Sequence, residues 1–180
     1  MKVFIGCSSS DEIKDEYKIV TKYLADELSK KHDLVFGCSK SGLMGICYNS
    51  FLRNNKKIIG VCYEMYKDCL DELTLNEVHV VKTLEESNKK LCELSDIMVI
   101  LPGAYGTLSE FFCILEEKRT NLHSKDICLL NINGFYDNLI EMMKLINLKV
   151  SKNYDFDGLC KVFNTVDELC KYVDNKELNK

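Results

Sequence analysis

Short apolar runs and longer amphipathic stretches alternate along the 180 residues of this chain. The runs fall at residues 3–6, 34–37, 58–62, 78–81, 97–101 and 127–131. Most are continuously apolar rather than alternating, the signature of strands covered on both faces. Between them the apolar positions recur at three and four. Tyr17, Val20, Leu24 and Leu28 mark one helix, Leu84, Leu91 and Leu94 a second, and Phe111, Phe112 and Leu115 a third. Leu139, Met142, Met143 and Ile146 mark a fourth, and residues 165–172 read as a last helix. Strands alternating with helices predict right-handed βαβ crossovers. The expected fold is α/β, a Rossmann-like parallel sheet of about six or seven strands with helices on both faces. Asn133-Gly134 marks a turn after the sixth run. No linker or repeat divides the chain, so residues 1–174 are expected to form one domain and residues 175–180 a frayed tail.

Composition narrows the class. The net charge of −4 supplies no basic field for nucleic acid or anionic lipid. No apolar run approaches the ~20 residues of a membrane helix. Neither a nucleic-acid nor a membrane partner is therefore expected. Ten cysteines are present, none in a C-x-x-C pair. So many thiols suit a reducing cytoplasm, where most serve as small buried hydrophobes. Cys7 and Cys38 stand apart because both lie on loops. His32, His79 and His123 share no ligand spacing, and no metal site or cofactor is expected.

Ligands of open parallel sheets bind outside the carboxyl ends of the strands. Four loops occupy that position. The first is Gly6, Cys7, Ser8, Ser9 and Ser10. The second runs from Gly37 to Gly45 and contains Gly42, Leu43, Met44 and Gly45 at a helix start, where free N–H groups favour an anion. The third is the richest: Pro102, Gly103, Ala104, Tyr105, Gly106, Thr107, Leu108, Ser109 and Glu110. Its glycines expose backbone amides, and Glu110 lies one turn beyond them. The fourth, residues 83–89, carries Glu86 and Asn88. Thr107 and Glu110 also have the spacing of a helix capping box, as do Thr83 with Glu86 and Thr165 with Glu168. At this level ligand binding and capping both remain open for Thr107 and Glu110.

Taken together, these loops resemble the LOG (Lonely Guy) family, also known as the possible lysine decarboxylase family. The family hallmark P-G-G-x-G-T-x-x-E is matched by residues 102–110, with Ala104 in place of the second glycine. The opening Gly6-Cys7-Ser8-Ser9 and the G-L-M-G segment at 42–45 are similar to two more family segments, and residues 130–139 to another. The resemblance implies a Rossmann-like homodimer that cleaves a cytokinin nucleoside 5′-monophosphate to base and ribose 5-phosphate. Glu110 would be catalytic, with Glu86 as a second carboxylate. Gly6, Cys7, Ser8, Ser9, Gly42, Met44, Gly45, Asn88, Pro102, Gly103, Tyr105, Gly106 and Thr107 would surround the ligand. Active members carry Arg-Lys where this chain has Ser87-Asn88. A related branch carries Arg-Asn there and reads G-T-x-S-E, as residues 106–110 do. Loss of the Arg leaves a non-catalytic nucleotide carrier or sensor as the alternative. Lysine decarboxylation normally needs an electron sink such as PLP, and no site for one is legible. A thiol sensor at Cys7 or Cys38 would need a second thiol nearby, which neither has in sequence.

Overall fold

A computed structural model describes residues 1–150 and 155–178 of the chain. A seven-stranded, all-parallel sheet forms the centre, in the order β4-β3-β2-β1-β5-β6-β7. The strands are β1 (Lys2–Gly6), β2 (Asp33–Phe36), β3 (Ile58–Tyr63), β4 (Glu77–Val81), β5 (Ile97–Ile100), β6 (Asp126–Leu130) and β7 (Lys161–Phe163). The six apolar runs seed β1 to β6. The short β7 has no such run, and it adds beyond β6 through Cys128↔Lys161 to Leu130↔Phe163.

Among the described residues seven α-helices flank the sheet: α1 (Asp15–Leu28), α2 (Gly42–Arg53), α3 (Leu84–Leu94), α4 (Tyr105–Arg119), α5 (Asp137–Lys149), α6 (Phe156–Leu159) and α7 (Val166–Leu178). Successive strand residues point to opposite faces, which splits the core in two. Val3, Ile5, Leu34, Phe36, Val99 and Cys128 pack beneath α1, α2 and α7. Phe4, Val35, Ile59, Met98, Ile100 and Leu129 pack beneath α3, α4, α5 and α6. Both faces of the inner strands are dry, so their sequences are continuously apolar.

β4 departs from that expectation. It is the edge strand, and Val78 and Val80 face solvent while Val81 is buried. The helix pattern Phe111, Phe112, Leu115 is split by the same logic: Phe111 and Leu115 are core and Phe112 is exposed. The tail also differs from expectation. α7 continues through residues 175–178, and Glu177 Oε1 accepts from the N-terminal ammonium at 2.9 Å; residues 179–180 lie outside the described set.

Chain order runs outward from β1 to β4 on one side and from β5 to β7 on the other. The topological switch point therefore lies between β1 and β5, paired from Val3↔Ile97 to Gly6↔Ile100. A crevice opens there between loops that must diverge to opposite faces.

Candidate active site at the switch point

Two loops leave β1 and β5 side by side and lock together. Leu101 N–H donates to Gly6 O at 2.8 Å, and Ser8 N–H donates to Pro102 O at 3.1 Å. Pro102 is buried, and its fixed φ holds the turn. Gly103 admits Thr107: a Cβ on Gly103 would lie 2.2 Å from Thr107 Oγ1. The buried Thr107 side chain thus folds back under its own loop.

α4 starts at Tyr105, and its N-cap is Ala104, which offers no capping side chain. Thr107 and Glu110 are consequently the third and sixth helical residues, and the pair is not a capping box. The other two T-x-x-E sites are caps. Thr83 Oγ1 accepts from Glu86 N–H at 3.1 Å, and Thr165 Oγ1 accepts from Glu168 N–H at 3.3 Å. The first-turn amides of α4, like those of any helix, have no partner within the helix, an arrangement that favours an anion. A Cβ on Gly106 would touch nothing within 4 Å, and Tyr105 stands 90% exposed beside it.

One turn further, Glu110 returns to the crevice floor. A Cβ on Gly6 would sit only 3.1 Å from Glu110 Oε2, so the glycine at the end of β1 clears room for this carboxyl. Oε2 is buried with no hydrogen-bond partner. Desolvation pushes the Glu110 carboxyl up to about 8. A buried carboxyl that no cation neutralises favours its protonated form.

Two nearby groups were not singled out by the sequence reading. Tyr136, buried just after the Asn133–Gly134 turn, donates its hydroxyl to Leu101 O at 2.6 Å. Its amide donates to Asn131 Oδ1 at 2.8 Å. It clamps the β5 loop from below, and burial followed by the charges of Cys7 and Glu110 pushes its phenol up. Asp11, in the loop after β1, accepts from Gly42 N–H at 2.7 Å. The positive φ of Asn133 and Gly134 (50° and 73°) marks the expected turn; two aromatic residues follow it, of which Phe135 is exposed and Tyr136 buried.

The second glycine loop has a different role from the expected one. The first amides of α2 are already taken: Gly42 by Asp11, and Leu43 and Met44 by Ser8 O at 2.9 and 3.2 Å. Gly42 has φ +60° and lies against the backbone of residues 8–10. A Cβ on Gly45 would come within 1.8 Å of Lys40 O. Gly42, Met44 and Gly45 therefore clamp the β1 loop onto α2 rather than offering a second anion site. Cys7 lies in the core between that helix and Glu110. It is buried, and its thiol interacts with Cys47 on α2, burial holding it protonated. Ser8 spends its carbonyl on α2 and its Oγ on Ser10 N–H (3.1 Å), while Ser9 remains exposed.

Glu86 is not brought to Glu110. Its Oε2 accepts from Lys82 N–H at 2.8 Å at the exposed start of α3, where a carboxylate suits the helix dipole. Asn88 is buried and meets the Cys113 thiol between α3 and α4. Ser87, at the position of the family Arg, is half-buried. His123, which has no ligand spacing in the sequence, has a ligating atom within 4.8 Å of those of Cys92 and Glu117. Its Nε2 faces Ile114 O at 2.9 Å and its Nδ1 accepts from Lys125 N–H at 3.1 Å.

The fold is that of a Rossmann-type α/β protein, with a crevice at the switch point of its parallel sheet. The chain belongs to the LOG, or "Possible lysine decarboxylase", family, whose profile matches residues 44–173. Curated relatives are named accordingly. The "Cytokinin riboside 5′-monophosphate phosphoribohydrolase LOG1" of Arabidopsis thaliana is 31% identical over 145 residues, 79% of this chain and 68% of that protein. The "Probable" LOGL9 enzyme of Oryza sativa is 34% identical over 77% of this chain and 62% of its own length. Among solved structures, the Moco carrier protein of Chlamydomonas reinhardtii superposes with a TM-score of 0.71 at 15% identity, covering 99% of this chain and 98% of that one. The molybdenum cofactor binding protein of Rippkaea orientalis gives 0.69 at 14% identity, covering 97% and 95%. These structures share the fold. No helix among the described residues is long and apolar enough to cross a membrane.

Proposed function

We propose that the crevice binds a nucleoside 5′-monophosphate, of the cytokinin type named in the relatives, and hydrolyses its N-glycosidic bond to free base and ribose 5-phosphate. The observation that carries this reading is the unpaired Glu110 carboxyl above Gly6, one turn from the open N-terminus of α4. The phosphate would sit on the amides of Tyr105, Gly106 and Thr107, satisfied by hydrogen bonds and the helix dipole. That anchorage sets the ribose over Glu110. Breaking the C–N bond sends its electron pair to the departing base and leaves positive charge on the ribose. An ionised Glu110 stabilises that charge and takes a proton from the incoming water as the C–O bond forms; the departing base takes up a proton in turn, so that Glu110 returns to its ionised form. Tyr136 and the interlocked Gly6 and Pro102 carbonyls hold the loops so that these groups need not reorganise.

The protein is proposed to act as a cytoplasmic homodimer, in line with its family. Phe111, Ile114 and Leu115 cannot supply the interface because they are core; the exposed Phe112 and Tyr105 of α4 can. A second reading is a carrier or sensor that binds the nucleotide without cleaving it. Ser87 favours it, since no Arg at that position lowers the pKa of Glu110 or shares charge with the phosphate. The Moco carrier proteins demonstrate that this architecture also serves carriers.

The deciding experiment incubates the protein with AMP and isopentenyladenosine monophosphate and assays free base. Release that is lost in Glu110→Gln supports the hydrolase. A saturable thermal shift with the nucleotide recovered intact replaces it with the carrier. Ser87→Arg is expected to raise release by about tenfold to a hundredfold, the value of one charge-assisted contact felt in the transition state.

A further inference from the structure

Cys92, Glu117 and His123 take no part in the proposed hydrolysis, and they meet at the other end of the sheet from the crevice. Cys92 lies in the last turn of α3, which leads into β5, and Glu117 in the last turn of α4, which leads into β6. Both helices end beside the amino ends of the strands that follow them, whereas the crevice opens at the carboxyl ends. His123 stands in the loop between α4 and β6. One ligating atom from each of the three, the thiol sulfur, a carboxylate oxygen and a ring nitrogen, lies within 4.8 Å of the other two. Among the described residues no other three such side chains gather so closely. Cys92 is buried while Glu117 and His123 are half-buried, so solvent reaches the trio past the last two. His123 is already oriented as a ligand. Its Nε2–H donates to Ile114 O at 2.9 Å, which leaves the lone pair on Nδ1. A ring N–H held by a backbone carbonyl is the outer contact that metal-bound histidines ordinarily make. The lone pair accepts the Lys125 N–H at 3.1 Å, from two residues on in the same loop. Lys125 is half-buried, so water can take over that amide when an ion arrives. The Lys125 ammonium is engaged away from the three donors: it donates to Cys92 O at 2.6 Å and Glu93 O at 3.2 Å, the open carbonyls at the end of α3. Burial pushes the Cys92 thiol up to about 12 and the His123 imidazole down, so both are neutral at pH 7.

We propose that Cys92, Glu117 and His123 form a three-ligand site for Zn2+, separate from the nucleotide crevice. Thiolate, imidazole and carboxylate are the donors this ion takes, and its bond lengths put the donors of a tetrahedral site about 3.3–3.7 Å apart. All three pairs already lie within 4.8 Å, so side-chain movements on the order of 1 Å close the site. The mixed set also selects. A thiolate and an imidazole together disfavour Mg2+ and Ca2+, which take oxygen donors. On binding, the Cys92 S–H bond gives way to a Zn–S bond and its proton leaves to solvent. The Glu117 carboxylate and the His123 Nδ1 lone pair bind as they stand, and water fills the fourth position. The two anionic donors balance the charge of the ion. Once bound, it would tie the ends of α3 and α4 to the loop that enters β6.

The test is equilibrium dialysis of the reduced protein against Zn2+, with Co2+ as a spectroscopic substitute. One tightly held ion per chain is expected. Co2+ should show the intense visible bands of a four-coordinate site and a sulfur-to-cobalt charge-transfer band in the near ultraviolet. Glu117→Gln and His123→Ala should each weaken retention by at least about tenfold. Cys92→Ser should remove the charge-transfer band, and Cys170→Ser, on α7, should change neither readout. Glu117→Gln keeps the size of a half-buried side chain, so it decides alone if the other variants fail to fold. No retention, retention indifferent to Glu117→Gln, or a six-coordinate Co2+ spectrum without the sulfur band each overturns the assignment.

Discussion

Glu110 concentrates the chemistry of this protein into one carboxyl. Its pKa near 8 arises from desolvation without a compensating cation. Two pH effects follow from that value. If ionised Glu110 performs the hydrolysis, kcat/KM for base release rises with pH through about 8; a profile falling over that range would assign it the opposite, acid role. The second effect is on stability. The folded pKa is raised above the ordinary carboxylate value of 4.5, so the folded state binds more protons than the unfolded one between the two. Stability from this group is therefore complete below the ordinary value and is lost as pH rises through about 8. Glu110→Gln should remove the loss, about 3 kcal/mol at alkaline pH once partial water access is discounted. Thermal melts of both proteins across that range measure it. Tyr136→Phe should cost about 1–2 kcal/mol by orphaning the Leu101 carbonyl, with the aromatic packing kept.

At the scale of elements, the glycine loops that look alike in sequence divide into one that is proposed to bind the nucleotide and one that braces the β1 loop. Gly45→Ala forces a β-carbon onto Lys40 O and should destabilise the fold by about 1–3 kcal/mol. Gly106→Ala meets open space, so the melting temperature should hold while nucleotide affinity falls. A loss of affinity in Gly45→Ala at temperatures where it is fully folded would return α2 to the anion site. The three T-x-x-E sites separate for the same reason. Whether such a pair caps depends on which residue ends the preceding turn. Ala104 rather than Thr107 is the N-cap of α4, because the loop continues α-helical one turn earlier. Glu86, which does complete a cap, should tolerate Gln with base release unchanged within about twofold and a stability cost under about 1 kcal/mol.

For the whole molecule, the strand order matters most. β1 is central and pairs with both β2 and β5, so neither half of the sheet has a complete core alone. Unfolding in urea should accordingly be a single transition that circular dichroism and tyrosine fluorescence report with one midpoint; two midpoints would divide the chain at β5. The ends of the chain join the same unit. α7 reaches back to the turn between α1 and β2, where Asp174 meets Lys31 and His32, and to the start of β1, where Glu177 meets Met1. A tail judged by its polarity alone reads as frayed, but the partners that order it lie more than 140 residues away.

The sequence by itself determined six of the seven strands, the parallel class of the sheet and the loop that carries Glu110. Continuous apolar runs have few other uses, and short-range glycine and proline spacing is written locally. Tertiary structure decided which amides stay free, which carboxylate loses its cation and which thiols meet. Those outcomes depend on atoms from separate segments competing for the same few ångströms. Ser8 O reaches the α2 amides before any ligand can, Gly6 rather than an arginine faces Glu110 Oε2, and Gly60 gives up its side-chain volume to Cys38. Chain position sets none of these contacts, because each is a property of the crossing between elements and of the space left there.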